Sequence, residues 1–379
     1  MSKKEKKLVL TLSLASFLND LGSDMIYPIW PLFLTSVLNA NMQILGLIDG
    51  LGDALVNLSQ GLSGYISDRI KKRKIFVWTG YLCGSIARIG YAISKTWVHI
   101  LPFKILDRVG KIRGAPRDAM IADASTRSDR GRNFGFLRMM DNLGAVSGIV
   151  ACILLFGILG YRNLFLIAAI PSIISALLVF LYVKEKRIRR GTKTKFYIKS
   201  LNKEYKLFLI LSCIFALGSF SYSFLLIYAK ELGFNILTIP IFYLIFNVVA
   251  SIMSLPFGKF ADKFNRKIVL TLSYLLFAIM CIGFTFINSF LGVSFLFVLY
   301  GLHKASIEPV QRAFVSELSP KEYRASALGI FQMSTGFCAL PASLIAGFLW
   351  EKVHIFAPLY FSSVLSIAAL LILSFVKEQ

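Results

Sequence analysis

Apolar residues run along this chain in long stretches, separated by short polar or basic breaks from one end to the other. Twelve such stretches cover residues 8–37, 44–67, 75–94, 97–122, 133–158, 161–183, 205–230, 237–261, 267–286, 290–316, 324–349 and 353–376. Each reaches the ~20 residues a helix needs to cross the hydrocarbon core. The pattern predicts an all-α membrane protein of twelve transmembrane helices. The opening "MSKKEKKLVLTLSLASFLND" starts like a signal peptide, but its apolar run continues through Asp20 and Asp24 to Leu38 without a small-residue cleavage site. It is read as a retained first span.

Composition supports the assignment. Hydrophobic residues make up 56% of the chain and charged residues 16%, against roughly a quarter charged in soluble domains. The net charge of +22 raises the question of a nucleic-acid partner, and its distribution answers it. With the N-terminus placed inside the cell, 29 basic residues fall in the cytoplasmic segments and 4 (Lys95, Arg162, Lys230, Lys352) on the other side. That asymmetry is the positive-inside pattern. It predicts a multi-pass protein of the cell membrane with both termini cytoplasmic and the lipid bilayer, not nucleic acid, as its environment. The five cysteines all fall within spans at unpaired spacings and there are three histidines, so neither a disulfide framework nor a metal site is expected.

The longest polar break, "KEKRIRRGTKTKFYIKSLNKEYK", divides the spans six and six and has the composition of a solvated linker. The expected domains are an N-terminal six-helix bundle over 1–183, a cytoplasmic linker over 184–204 and a C-terminal six-helix bundle over 205–379. The halves repeat: Gly64 matches Gly258 and Asp68 matches Asp262 at an offset of 194, Pro116 matches Pro309 at 193, and Gly135 matches Gly329 at 194. Four pairs at nearly one offset indicate a duplicated unit.

The run "GYISDRIKKRK" after span 2, repeated as "GKFADKFNRK" after span 8, resembles motif A of the major facilitator superfamily. "SDMIYPIWPLFL", "DRVGKIRGAPRDAMIAD" and "RGRNFGFLRMMDNLGA" are similar to a widespread, poorly characterised prokaryotic branch of that family. The resemblance implies two pseudo-symmetric bundles that rock about a central site. It implies a gating role for Gly64, Asp68, Arg69 and Arg73, for their counterparts Gly258, Asp262 and Arg266, and for Arg113, Arg117, Asp118 and Asp123 at the cytoplasmic end of span 4. Asp68 lies beside a cluster of cations at the end of a helix, where charge-assisted hydrogen bonds can be made in one state and broken in another.

Span 4 carries Lys104, Asp107, Arg108, Lys111, Arg113, Arg117 and Asp118. At about 100° per residue, Lys104, Asp107, Arg108, Lys111 and Asp118 share one side of an ideal helix and Arg113 and Arg117 take the opposite side. A charge at mid-membrane costs at least ~3 kcal/mol, so span 4 cannot face lipid. Partners are at hand in Asp20, Asp24 and Tyr27 of span 1, Asp49 and Asp53 of span 2, Arg88 of span 3, and Arg138 and Asp141 of span 5. The first six spans hold seven buried acids against seven buried bases, and a network that only braces the bundle competes with one that takes part in transport. The second half is poorer in charge, with Lys304, Glu308 and Arg312 in span 10. The resemblance places spans 1, 4, 7 and 10 around the cavity, which makes Asp20, Asp24, Lys104, Arg108 and Lys111 the leading candidates, joined by Tyr222, Tyr300 and His303.

These features predict a secondary active transporter, proton-coupled, that moves a small solute, with export of amphipathic molecules favoured. The alternatives are transport of an anionic carboxylate or phosphorylated solute held by Lys104, Arg108 and Lys111, and a receptor or lipid-handling protein on the same fold. No phosphate-binding loop, nucleophile elbow or metal-ligand pattern occurs, so an enzyme is not expected and no cofactor is implied. A monomer is expected.

Overall fold

The computed structural model describes residues 3–70, 72–126, 129–185, 202–263, 265–319 and 324–376; within these the side chains of Tyr65, Asp68, Arg130, Asp262 and 324–326 are outside the description. The sequence-predicted linker lies mostly outside it, over 186–201. Among the described residues the regular structure is helical throughout.

Twelve helices follow in order. The first, α1, runs from Lys3–Asp24 through a break to Trp30–Leu32 and a π-turn at Phe33–Val37. Then come α2 (Met42–Ile70), α3 (Lys74–Ile93) and α4, which is built from Trp97–Val109, a 3-10 turn Gly110–Arg113 and Gly114–Ala124. A continuous helical stretch Arg130–Tyr182 is divided at Gly160 (φ 68°) into α5 (130–159) and α6 (161–182), the position at which the hydrophobic pattern breaks. Only glycine enters that backbone region without strain. The second half gives α7, made of Lys203–Gly218 and Tyr222–Glu231, then α8 (Ile239–Lys263), α9 (Arg266–Gly283), α10 (Phe290–Glu317), α11 (Arg324–Lys352) and α12 (Ala357–Phe375).

By length and apolarity alone, α5 to α12 qualify as spans, α5 and α6 within one continuous stretch. The four helices before them carry the buried charges, which lower their apolarity. Large side chains such as Leu154, Ile158, Phe286 and Leu291 are exposed, as lipid-facing positions require. The chain is a multi-pass membrane protein.

It divides into two compact units, one of residues 1–39 with 55–191 and the other of residues 40–54 with 192–379. The first part of α2 therefore belongs with the second unit. In the first unit α1 lies along α5 and α6, and a Cβ on Gly148 would stand 2.3 Å from the carbonyl oxygen of Leu21. In the second, α10 packs between α8 and α9, and α12 between α7 and α9.

Candidate functional site

Each unit has a break in its first helix. Regular α1 ends at Asp24 and the first piece of α7 ends at Gly218, which is the repeat offset of 194. In α1 the cause is Pro28, which has no N–H to offer the carbonyl of Asp24. In α7 the chain leaves the helix over 219–221 and restarts at Ser221, whose side chain accepts from the backbone N–H of Ser223. Interrupted helices at matching positions of two repeats expose polar backbone at membrane depth, a recurrent arrangement at transporter binding sites.

In the first unit, α4 turns its cations towards the α1 break. The Lys104 ammonium stands 3.9 Å from the centroid of Trp30, and the Arg108 guanidinium 5.5 Å from that of Tyr27. Such stacking stabilises a desolvated cation by roughly 1–2 kcal/mol. Lys104, Asp107 and Asp24 are all less than a tenth exposed. Arg108 reaches Asp107 at 3.7 Å, and Lys111 is half-buried. Asp20 is half-buried and accepts a 2.9 Å bond from the Asn19 amide. Arg88, buried on α3, donates to Ser23 Oγ (2.7 Å), to the Asn19 carbonyl (3.2 Å) and to the Ala168 carbonyl (3.4 Å). It ties α3 to α1 and α6.

Further along α4 the ideal-helix projection fails. The 3-10 turn advances each residue by about 20° more than an α-helix, shifting the register by about 80° over its four residues. Arg117 and Asp118, neighbours on the regular helix that follows the turn, pair at 3.0 Å through their side chains. Arg117 also reaches Asp141 (3.5 Å) and donates to Ser16 Oγ, while Arg138 contacts Asp118 (3.6 Å) and Asp141 (3.2 Å). Arg138 and Asp141, assigned from sequence to the solute site, thus join two residues assigned to the gate. Arg113 turns back to the Gly110 carbonyl (3.0 Å) and lies over the Tyr81 ring.

At the ends of the spans, Arg73 donates to Asp123 at 2.5 Å. The N-terminus of α3 is capped by Glu185, which accepts from the backbone N–H groups of Arg73 (2.8 Å) and Lys74 (3.0 Å), satisfying orphan donors. In the second unit Arg266 pairs with Glu317, and Asn265 caps α9. Gly64 packs on Ala115, whereas its repeat partner Gly258 faces open space. Arg69 is exposed. The side chains of Asp68 and Asp262 lie outside the described residues.

In the second unit Asp49 is buried and accepts hydrogen bonds from both Ser221 (2.9 Å) and Ser223. An acid of α2 is thus fastened to the restart of α7. Asp53 follows one turn later, half-buried. Tyr222 contacts Tyr243 (5.1 Å between centroids), Tyr243 contacts Phe246 (4.8 Å) and Phe246 contacts Tyr300 (5.1 Å). His303 turns from this row towards α9, where its Nδ1 lies 2.9 Å from both Oγ and the carbonyl of Ser273.

Sequence reasoning missed Trp30, Glu185, Ser221, Ser223 and Glu317. Glu317 was within reach, since it follows Asp123 at the repeat offset of 194. The serines carry no signal of their own, because a hydroxyl in a span usually bonds its own helix.

The family model described as Major Facilitator Superfamily matches residues 12–250 and 207–379. An uncharacterized MFS-type transporter of Methanocaldococcus jannaschii is 40% identical, covering 98% of this chain and 95% of its own. Multidrug resistance protein 2 of Bacillus subtilis is 23% identical, covering 100% of this chain and 97% of its own. Among solved structures, the nucleoside transporter NupG superposes with a TM-score of 0.78 at 17% identity, covering 97% of this chain and 99% of that one. At that identity the likeness is one of fold.

Proposed function

Because this chain belongs to the major facilitator superfamily, and so is a transporter that moves a small solute by alternating access, we propose that it couples outward movement of small amphipathic solutes to protons. The reading places it in the cell membrane as a monomer with both termini cytoplasmic. The observation that carries it is the burial of Asp24, Asp49 and Asp107 to less than a tenth exposed within the spans. Acids kept in a membrane interior are expensive and mark proton or solute pathways. The name of the B. subtilis relative supports export. The motif residues Asp68, Arg69, Arg73, Asp123 and Arg266 act as the gate, and the bundles are those of residues 1–183 and 205–379.

A second reading is favoured by Lys104 and Arg108, which stand on the Trp30 and Tyr27 rings and fit an anionic solute met by the cations beside an aromatic surface. Everted vesicles carrying a pH gradient test both. Anionic, neutral and cationic amphipaths are added one by one, and lumenal pH and solute uptake are followed together. Solute-dependent alkalinisation is expected; uptake that persists unchanged after the gradient is collapsed would remove proton coupling. Labelling of a cysteine placed in the 184–204 segment from outside intact cells would reverse the orientation.

A further inference from the structure

Span 10 carries a cation that the proposed function leaves unused. Lys304 is half-buried on α10, its ammonium 5.6 Å from the Tyr300 centroid and in hydrogen-bonding reach of the Tyr300 hydroxyl. Among the described residues it forms no ion pair. A phenol is a weak partner for an ammonium in a span, and a membrane-embedded cation without a carboxylate salt bridge is costly to keep. The other half of the protein shows the contrast, since Arg117 has Asp118 and Asp141 within 3.5 Å.

The surroundings define what such a cation can recognise. Tyr300 is the end of the aromatic row that runs through Phe246 and Tyr243 to Tyr222, and Tyr222, unlike the other three, is only half-buried. The acids whose charges act on Lys304 are Glu308, on its own helix, and Asp53, on α2. Asp49, one turn before Asp53, is engaged by Ser221 and Ser223. His303 faces Ser273, and the residues of α8 in this row are uncharged.

We propose that Lys304 is a solute-recognising cation of the second unit, and that it selects an organic anion, an oxyanion group such as a carboxylate carried on a flat apolar body. The oxyanion takes the ammonium while the body lies along the aromatic row. Asp53 is its competitor. With Asp53 ionised, the lysine charge is partly compensated, so carboxylate and solute compete for one ammonium. This inference rests on the transport reading above and adds the solute class and the residue that reads it.

The test uses the full-length protein in detergent and in proteoliposomes, with naphthylacetate, naphthylacetamide and naphthylethylammonium as matched anionic, neutral and cationic probes. Naphthylacetate is expected to bind the wild type at least ~10-fold more tightly than the neutral amide, since two buried charges in contact are worth more than 1.4 kcal/mol. Lys304→Gln is expected to erase that preference, and Lys304→Arg to keep most of it. Should Lys304→Gln fail to fold, Asp53→Asn decides: removal of the competitor is expected to tighten naphthylacetate several-fold and leave the amide unchanged. Equal affinity for anion and amide in the wild type, no binding of any probe, or an anion preference untouched in both Lys304→Gln and Asp53→Asn would each overturn the proposal. Flux driven by a pH gradient in Lys304→Gln is read separately. Loss of anion preference with proton-driven flux of other solutes intact supports the lysine's role, whereas absence of proton-driven flux in the wild type removes the transport reading instead.

Discussion

Arg73 and Asp123 are joined by a 2.5 Å charge-assisted hydrogen bond that spans 50 residues of sequence, and Arg266 and Glu317 repeat the pair across 51. The arginines differ by 193 positions and the acids by 194, so each half closes the start of its third helix onto the end of its fourth in the same way. The acid changed from Asp to Glu between the copies while the pairing persisted.

The first prediction concerns this pair. The Asp123 side chain is 50% exposed, so the bond contributes at most about 1 kcal/mol to stability. Arg73→Gln and Asp123→Asn are therefore expected to leave the thermal midpoint in detergent within a few degrees of wild type. Transport should fall several-fold in each, and further in the Arg73→Gln/Arg266→Gln double variant. Wild-type rates in that double variant, measured in reconstituted vesicles, would remove the gating role.

The second prediction is steric. A Cβ on Gly144 would stand 2.4 Å from the Phe17 carbonyl oxygen and one on Gly148 2.3 Å from that of Leu21, whereas Gly135 and Gly329 have nothing within 4 Å. Backbone carbonyls cannot step aside as side chains do. Gly144→Ala and Gly148→Ala should each destabilise the α1–α5 seam by roughly 1–3 kcal/mol. Gly135→Ala and Gly329→Ala should be neutral or slightly stabilising, since alanine is the better helix former by about 1 kcal/mol. Thermal unfolding followed by tryptophan fluorescence distinguishes the two sets.

Much of this architecture is legible before any coordinates. The twelve spans follow from apolar run length, and even the division at Gly160 shows as a dip in the pattern, because a membrane helix has no freedom to be polar on all sides. What does not show is local geometry. The charged residues of α4 look like two faces of one ideal helix, yet the 3-10 turn over Gly110–Arg113 shifts the register of everything after it, and Arg117 meets Asp141 of α5. The Asp49–Ser223 bond joins residues 174 apart, and no periodicity reports a contact at that range. Glu317 lay open to anyone extending the repeat from glycines and prolines to acids.

The third prediction separates bracing from function at Arg88. Its guanidinium reaches four acceptors on two other helices, and the residue is 2% exposed. Arg88→Met removes the charge and all of these hydrogen bonds, and a bond to a charged group contributes about 1.5–3 kcal/mol. A large loss of thermal stability is expected. Arg88→Lys should recover only part of it, since a single ammonium cannot reproduce the planar fork. Transport per folded molecule should be little changed in Arg88→Lys; a selective loss of rate with full stability would move Arg88 into the transport cycle.

The last prediction tests whether the charges around the α1 break do more than hold the bundle together. Asp24 ends the regular part of α1, Tyr27 follows within the break, and Arg108 lies over the Tyr27 ring 5.5 Å from its centroid. A bracing pair and a working pair respond differently to neutralisation. In a bracing pair, loss of one member leaves the other charged in low dielectric, a penalty of about 3–5 kcal/mol that removing both relieves. In a working pair, the charge is released by proton or solute during the cycle, so the protein already visits the unpaired state and tolerates it. Asp24→Asn, Arg108→Gln and the double variant are to be compared for detergent stability and for transport between acid and alkaline pH. Asp24→Asn is expected to fold with only modest loss of stability and to transport, if at all, without the wild type's dependence on pH. Arg108→Gln should lower transport while leaving that dependence in place. The opposite pattern, in which both single variants lose stability, the double regains stability and transport together and the pH profile never moves, would make these charges structural and shift the search for the coupling acid to Asp49 and Asp53.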